Sequence, residues 1–304
     1  MKKCLAFVLS GGGARGALQA GALRALIEAG YHPDLMVGTS IGAANASFLA
    51  LKGVNLASVN ELINIWKEAS QANLLPHNYL SLTLRALLKR RSDYTIHRMR
   101  DFFIQHGLTT DLCFGDIRGL RLILVSADLN SGKPVLYGVN PRDSILEGVL
   151  ASTALPPWIP PMEVNGRVLV DGGAVSVLPV ETAIQAGASE IIALDLTDPR
   201  PSLHHAHEIV TLLEKIVSTA NRRQIQLEIS LAAARKVPVK HISLTGVDPL
   251  PIWDFEVSEK SILRGYEHTQ AVIETWKTSH KRRVRFWWPN GLRGSTGKEQ
   301  KQEI

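Results

Sequence analysis

Two strand–turn–helix units open the chain, and they constrain the fold more than anything after them. Cys4–Leu9 is an apolar run, Gly11-Gly12-Gly13-Ala14-Arg15-Gly16 a glycine-rich turn, and Ala17–Ala29 a helix-forming stretch with apolar positions at helical spacing. Leu35–Val37, Gly38-Thr39-Ser40-Ile41-Gly42 and Ile41–Leu51 follow in the same order. Strands separated by helices pair in parallel and need cover on both faces. The expected fold class is therefore α/β, with a mostly parallel central sheet between helical layers.

The rest of the chain extends this pattern. Leu56–Ala69 reads as an amphipathic helix. Residues 71–110 show no strand; they hold Leu82–Leu88, the basic Lys89-Arg90-Arg91 and a helix-like Ile96–Gln105, and are expected to form a helical excursion outside the sheet. Leu120–Ala127 and Pro134–Tyr137 read as strands around the turn cluster Asn130-Ser131-Gly132. Asn165-Gly166, between Met162–Val164 and Arg167–Val170, is a hairpin signal. Glu190–Leu196 and His241–Leu244 are expected as strands, His207–Ala234 and Ser258–Trp276 as helices. The division so expected is one catalytic domain over 1–280, with its motifs within about 4–196, and a C-terminal extension over 281–304.

Composition bounds the chain's class. Of 304 residues, 45% are hydrophobic, which excludes disorder as the main state. Two cysteines, Cys4 and Cys113, are too few for a disulfide scaffold and read as reduced thiols of a cytoplasmic protein. No apolar run approaches the ~20 residues that span a bilayer. Met1-Lys2-Lys3 before an apolar run imitates a secretion signal, but the run breaks at Ser10-Gly11 and is expected to be a buried first strand. The net charge of +6 is concentrated at the end. Lys281, Arg282, Arg283, Arg285, Arg293, Lys298 and Lys301 face only Glu299 and Glu303 there, so the body is nearly neutral.

Three constellations can carry chemistry. Gly11–Gly16, between strand and helix, offers backbone N–H groups at a positive helix end and suits an anion, either a phosphate or the oxyanion of a tetrahedral intermediate. A dinucleotide site would want an acid at the end of the second strand, where Gly38-Thr39-Ser40 stands, and no P-loop lysine follows the glycines. Gly38-Thr39-Ser40-Ile41-Gly42 is a G-x-S-x-G turn that can lift a serine hydroxyl out of the sheet; its plainer reading is a helix N-cap. Asp171-Gly172-Gly173 ends the hairpin strand, where a carboxylate can point at that serine or simply make a polar turn. Among His204, His205, His207, His241, His268 and His280 none stands out as a triad base. The His204-His205-Ala206-His207 cluster lacks the spacing of a metal site, and no metal or other cofactor is expected.

Together these blocks resemble the patatin-like phospholipase family of lipid acyl hydrolases. The chain carries, in order, the glycine-rich loop with Arg15 at its basic position, the elbow at Ser40, a proline-rich block (Ala151-Ser152-Thr153-Ala154-Leu155-Pro156-Pro157 through Pro160-Pro161) and Asp171-Gly172-Gly173. The resemblance implies a three-layer α/β/α patatin-like fold and a Ser–Asp dyad, with Ser40 as nucleophile and Asp171 as base. Gly11, Gly12, Gly13 and Arg15 would form the oxyanion site, supported by Gly16, Gly38, Gly42, Gly172 and Gly173. The implied substrate is a phospholipid or lysophospholipid cleaved through an acyl-enzyme. Rival readings are a non-catalytic anion- or nucleotide-binding module and a membrane-surface interaction protein.

Two segments suit contact with a lipid aggregate at the inner membrane surface. Leu82–Arg91 sets leucines beside Arg85, Lys89, Arg90 and Arg91, and Lys281–Trp288 interleaves basic residues with Phe286, Trp287 and Trp288. Solvated basic faces and tryptophans packed on the body are the plainer alternatives. Cues for a nucleic-acid module are missing, and no nucleic-acid partner is expected.

Overall fold

The computed structural model describes residues 3–71, 93–156, 158–200 and 208–286. Among them is an eight-stranded sheet of β1 (Leu5–Leu9), β2 (Leu35–Thr39), β3 (Arg121–Asp128), β4 (Lys133–Tyr137), β5 (Met162–Val164), β6 (Arg167–Asp171), β7 (Glu190–Asp195) and β8 (Val239–Ser243). The order is β5-β6-β3-β2-β1-β7-β8, with β4 on β3. The steps from β3 through β2, β1 and β7 to β8 are parallel, whereas β4 and β6 run antiparallel to β3. This is the expected mostly parallel sheet.

The helices are α1 (Gly16–Glu28), α2 (Ile41–Lys52), α3 (Leu56–Gln71), α4 (Asp93–Gln105), α5 (Ile145–Ser152), α6 (Val180–Gln185), α7 (Glu208–Ala234) and α8 (Ser258–Phe286). Side chains alternate across a strand, so β1 divides its residues between two cores. Phe7 and Leu9 join the core of α1–α5 and α8, while Ala6 and Val8 join that of α6 and α7. Three layers result. Helix α8 lies directly against α1: a Cβ on Gly21 would stand 1.9 Å from Ile262 O, and one on Gly265 2.0 Å from Leu18 O. No helix among the described residues is long and apolar enough to cross a membrane.

Three differences from the expected elements are local. Helix α8 continues past Trp276 to Phe286, and α5 and α6 were not expected. The start of α5 is nevertheless written in the chain, because Ser144 Oγ accepts the Glu147 N–H (3.3 Å) in an S-x-x-E arrangement. Helix α4 is the described part of the excursion; Leu82–Arg91, Pro157, the His204-His205-Ala206-His207 cluster and residues 287–304 lie outside the described residues.

One topological feature positions the site. Leu124 and Val125 pair with both β2 and β4, and Ser126–Asp128 with both β4 and β6, so β2 and β6 share one edge of β3. Thr39 stands opposite Val125, and Asp171 opposite Ser126. The C-terminal ends of β2 and β6 therefore meet head to head, and the turn after β1 lies beside them. Crevices at such carboxyl ends are the usual binding sites of open α/β sheets.

Candidate active site

Between β2 and α2 a single residue turns the chain from strand to helix. It is Ser40, at φ 55° and ψ −127°, a conformation that residues other than glycine seldom hold. Such strain costs on the order of 1–3 kcal/mol and persists only where the surroundings enforce it. The enforcement is partly steric, since a Cβ on Gly38 would lie 2.5 Å from Gly42 O, and one on Gly42 2.4 Å from Leu9 O. It is also polar. The Ser40 N–H donates to Ser152 Oγ (2.8 Å), Ser152 donates to Val125 O (2.6 Å), and Thr39 Oγ1 donates to Ser176 O (2.8 Å).

Asp171 faces this turn. Ser40 Oγ donates to Asp171 Oδ2 at 2.5 Å, and the Gly173 N–H donates to Asp171 Oδ1 at 2.7 Å. The backbone of Asp171 is tied to the proline-rich block, its N–H donating to Ala154 O (2.8 Å). Gly172 is the point of closest approach, where a Cβ would lie 2.1 Å from Val125 O. Only 5% of Asp171 is exposed. Burial pushes its pKa up to about 6, against the opposing pull of the hydrogen bonds from Ser40 and Gly173. A hydroxyl bonded to a carboxylate with a pKa raised to about 6, at the positive end of α2, is an arrangement through which a proton can pass.

The glycine-rich loop lies next to Ser40, with a Cβ on Gly11 only 3.1 Å from Ser40 Cβ. Its N–H groups divide sharply. That of Gly11 donates to Val177 O (2.9 Å) and that of Ala14 to Ile252 O (2.7 Å), whereas those of Gly12 and Gly13 have no partner among the described residues. The Arg15 guanidinium reaches away along the chain, with Nε donating to Leu250 O (2.6 Å) and Nη1 to Leu196 O (3.4 Å). Among the described residues the N–H groups of Gly12 and Gly13 are thus the open donors of the loop, while the Gly11 N–H and the Arg15 guanidinium bond to backbone carbonyls.

Behind the loop runs a buried amide chain that sequence reading missed. Trp66 Nε1 donates to Asn45 Oδ1 (3.0 Å), and Asn45 Nδ2 donates to Gly16 O (3.1 Å) and Gln19 Oε1 (3.0 Å). Gln19 Nε2 in turn donates to Ser10 O (2.9 Å). Polar residues at helical positions in otherwise apolar α1 and α2 were the available signal. Gly16 leaves room for this chain, since a Cβ there would strike Ile41 and Trp66 at 2.6 Å. Beside the elbow lies an apolar cavity of about 60 Å³, lined by Ile41, Ala44 and Phe48 of α2, Trp66, Phe103 and Phe255 among others.

The described histidines stand apart from Ser40 and Asp171. His241 Nε2 pairs with Asp195 Oδ2 (2.9 Å), bridging β8 and β7, and no described histidine bonds to Ser40 or Asp171. No group of three or more His, Cys, Asp or Glu among the described residues is placed to hold a metal ion.

Comparison with known proteins places this geometry in a family. The chain is 25% identical over 300 residues to the uncharacterized protein YqhO of Bacillus subtilis, covering 88% of this chain and 98% of that one. It is 28% identical over 202 residues to human patatin-like phospholipase domain-containing protein 6, covering 63% of this chain but only 13% of that much longer protein. Human GIVD cytosolic phospholipase A2 superposes with a TM-score of 0.53 at 12% identity, over 93% of this chain and 60% of that one, which shows a shared fold. The profile of the patatin-like phospholipase family matches residues 7–184, from β1 through α6 and including Ser40 and Asp171, and the chain belongs to that family.

Proposed function

We propose that this protein is a serine acyl hydrolase that cleaves a fatty acyl ester of a phospholipid or lysophospholipid. The observation that carries this reading is the 2.5 Å hydrogen bond from Ser40, held at a strained strand-to-helix turn, to buried Asp171. Family membership supports the choice of a lipid ester as substrate.

In this reading Ser40 Oγ attacks the ester carbonyl carbon as its proton passes to Asp171 Oδ2. A carboxylate of ordinary pKa ~3.9 is a weak base for an alcohol, and a base near 6 narrows that gap by about 3 kcal/mol. The N–H groups of Gly12 and Gly13 hold the oxyanion of the tetrahedral intermediate, and the N-terminus of α2 favours negative charge at the same place. Collapse breaks the bond to the glycerol oxygen, which leaves with the proton from Asp171, and the acyl group stays on Ser40. Water then attacks the acyl-enzyme and gives a proton to Asp171. Collapse of the second intermediate releases the fatty acid, and that proton returns to Ser40 Oγ. The apolar cavity beside Ile41 receives the acyl chain. The basic 281–304 stretch brings the protein to an anionic lipid surface in the same reading.

A fluorophosphonate probe tests the core of this proposal. Wild type is expected to be labelled on Ser40, the Ser40→Ala protein to be unlabelled with its melting temperature kept, and Asp171→Asn to label far more slowly. A wild-type protein that stays unlabelled and releases no fatty acid from lysophospholipid micelles overturns the reading.

A further inference from the structure

The family match ends at residue 184, yet a segment far beyond it forms part of the site. Residues Leu250–Phe255 run past the glycine-rich loop as a strap whose last residue, Phe255, lines the apolar cavity. Leu250 O accepts Arg15 Nε (2.6 Å) and Ile252 O accepts the Ala14 N–H (2.7 Å), so the strap is hydrogen-bonded to the loop that presents Gly12 and Gly13. Gly13 is required for this approach, since a Cβ there would lie 2.1 Å from Ile252 O. Trp253 stacks on Trp158 (centroids 5.9 Å apart, planes at 20°), which ties the strap to the segment that leads from Ala154, the partner of Asp171. Phe255 O accepts the Ser258 hydroxyl (2.6 Å), fixing the strap's far end to the first turn of α8.

Between these anchors Phe255 projects into the cavity. The residue is 9% exposed, and its ring stacks on Trp66 with centroids 5.9 Å apart and planes at 17°. Of the two stacked walls, Trp66 is the fixed one, locked through Nε1 into the Asn45–Gln19 amide chain. Phe255 is held only by packing and by the strap's backbone bonds. The cavity of about 60 Å³ is small against a long acyl chain, so the position of its Phe255 wall bears on how much of one it can take.

We infer that the Leu250–Phe255 strap is the specificity-determining element of this site, with Phe255 as the residue that limits how long an acyl chain the cavity accepts. The inference rests on the hydrolase reading, because it gives the cavity an acyl chain to hold. The substrate class it names is a single unbranched acyl ester lying along the wall that the stacked Trp66 and Phe255 form, with length discriminated by the free space at the Phe255 ring. Discrimination by an apolar pocket is worth about 10–200-fold per fitting group, so a change in this wall reads directly in relative kcat/KM.

The test is a series of p-nitrophenyl esters from four to sixteen carbons, assayed on wild type, Phe255→Leu, Phe255→Ala and Phe255→Trp. Phe255→Ala is expected to raise the ratio of long-chain to short-chain kcat/KM by about tenfold, with Phe255→Leu between it and wild type. Phe255→Trp is expected to lower the ratio. Fluorophosphonate labelling of each variant reports whether Ser40 remains intact, and the Phe255→Leu protein keeps the test sharp should Phe255→Ala unfold. If wild type hydrolyses the series and all folded variants keep its length profile, the strap inference is wrong while the hydrolase reading stands. If wild type is neither labelled nor active, it is the hydrolase reading that fails.

Discussion

Ser40 donates its hydroxyl to Asp171 at 2.5 Å because the strands that carry the two residues end head to head on one edge of β3. Val125 holds Thr39 and its neighbour Ser126 holds Asp171, so the register of β3 sets the spacing of the pair. Two side chains held where β2 and β6 end against β3 need no induced fit to meet. The remaining freedom lies in the protonation of the carboxylate.

That protonation predicts a pH profile. Burial holds the Asp171 pKa near 6, and in the proposed mechanism only the ionised form can take the Ser40 proton. Ester kcat/KM should fall as pH drops through about 6, roughly tenfold per pH unit below it, with a single ionisation on the acid limb. A limb centred near 4, measured with a soluble ester and the fold checked by circular dichroism, would contradict burial as the controlling influence.

The same shift has a stability consequence of opposite benefit. The folded pKa of about 6 lies above the ordinary 3.8, so between those values the unfolded chain ionises first and stability falls as pH rises. The stability present below about pH 4 is lost on passing through 6, which amounts to about 2–3 kcal/mol. Asp171→Asn keeps an acceptor for the Gly173 N–H and removes the buried charge. It should therefore be inactive yet melt higher than wild type at pH 7.5, with the gain vanishing near pH 4. Equal melting temperatures at pH 7.5 would show that the carboxylate is not penalised by its site.

Ser152 supports the elbow from the last turn of α5. Its hydroxyl accepts the Ser40 N–H and donates to Val125 O, so Ser152→Ala orphans a backbone donor at a strained residue. Leaving such a group unpaired costs about 1–3 kcal/mol. The expected result is a lower melting temperature together with a kcat loss of about tenfold or more and little change in KM, because Ser40 shifts while the apolar cavity does not. A variant with lowered stability but unchanged kcat would make Ser152 a purely structural residue.

How much of this was legible in the sequence follows the range of each interaction. The units ending in Gly11–Gly16 and Gly38–Gly42 are local, as is the Asn165-Gly166 hairpin that places Asp171, and their chemistry shows in consecutive residues. The Gly11 N–H is bonded to Val177, 166 positions away, so the sequence could present the loop's glycines but not which N–H groups stay open. Arg15 is anchored by Leu250 for the same reason. Helix α5 carried its cap in Ser144 and Glu147, but Ser152 acquires its role only through the fold of β3. Phe255 looks like any apolar residue before a helix; only the strap's path past the loop sets it in the cavity wall against Trp66.

The basic end of the chain makes a prediction about lipid surfaces. Residues 281–304 hold seven Lys and Arg against two Glu, and each basic side chain near an anionic surface contributes about 1 kcal/mol. A protein ending at residue 280 should sediment less with anionic vesicles than the full chain, and the difference should shrink as salt shortens the Debye length. Hydrolysis of a soluble ester should be unaffected. Equal sedimentation at low salt would remove this stretch from the account.

Asn45 is the joint of the buried amide chain, and the most informative substitution in it. It satisfies Trp66 Nε1, Gly16 O and Gln19 Oε1 at once, and is 2% exposed. Asn45→Ala leaves the Trp66 indole N–H and Gln19 Oε1 without partners in an apolar layer, where each costs about 1–3 kcal/mol unless water enters, while Gly16 O keeps its bond within α1. Asn45→Leu, close in volume, repairs the void but not the polar deficit, so it should melt nearly as low as Asn45→Ala. If instead Leu restores stability, the amide chain contributes through packing alone. Both variants free Trp66 to rotate, so fluorescence of that indole should shift and the acyl-length profile should broaden, whereas fluorophosphonate labelling of Ser40 should persist wherever the fold does.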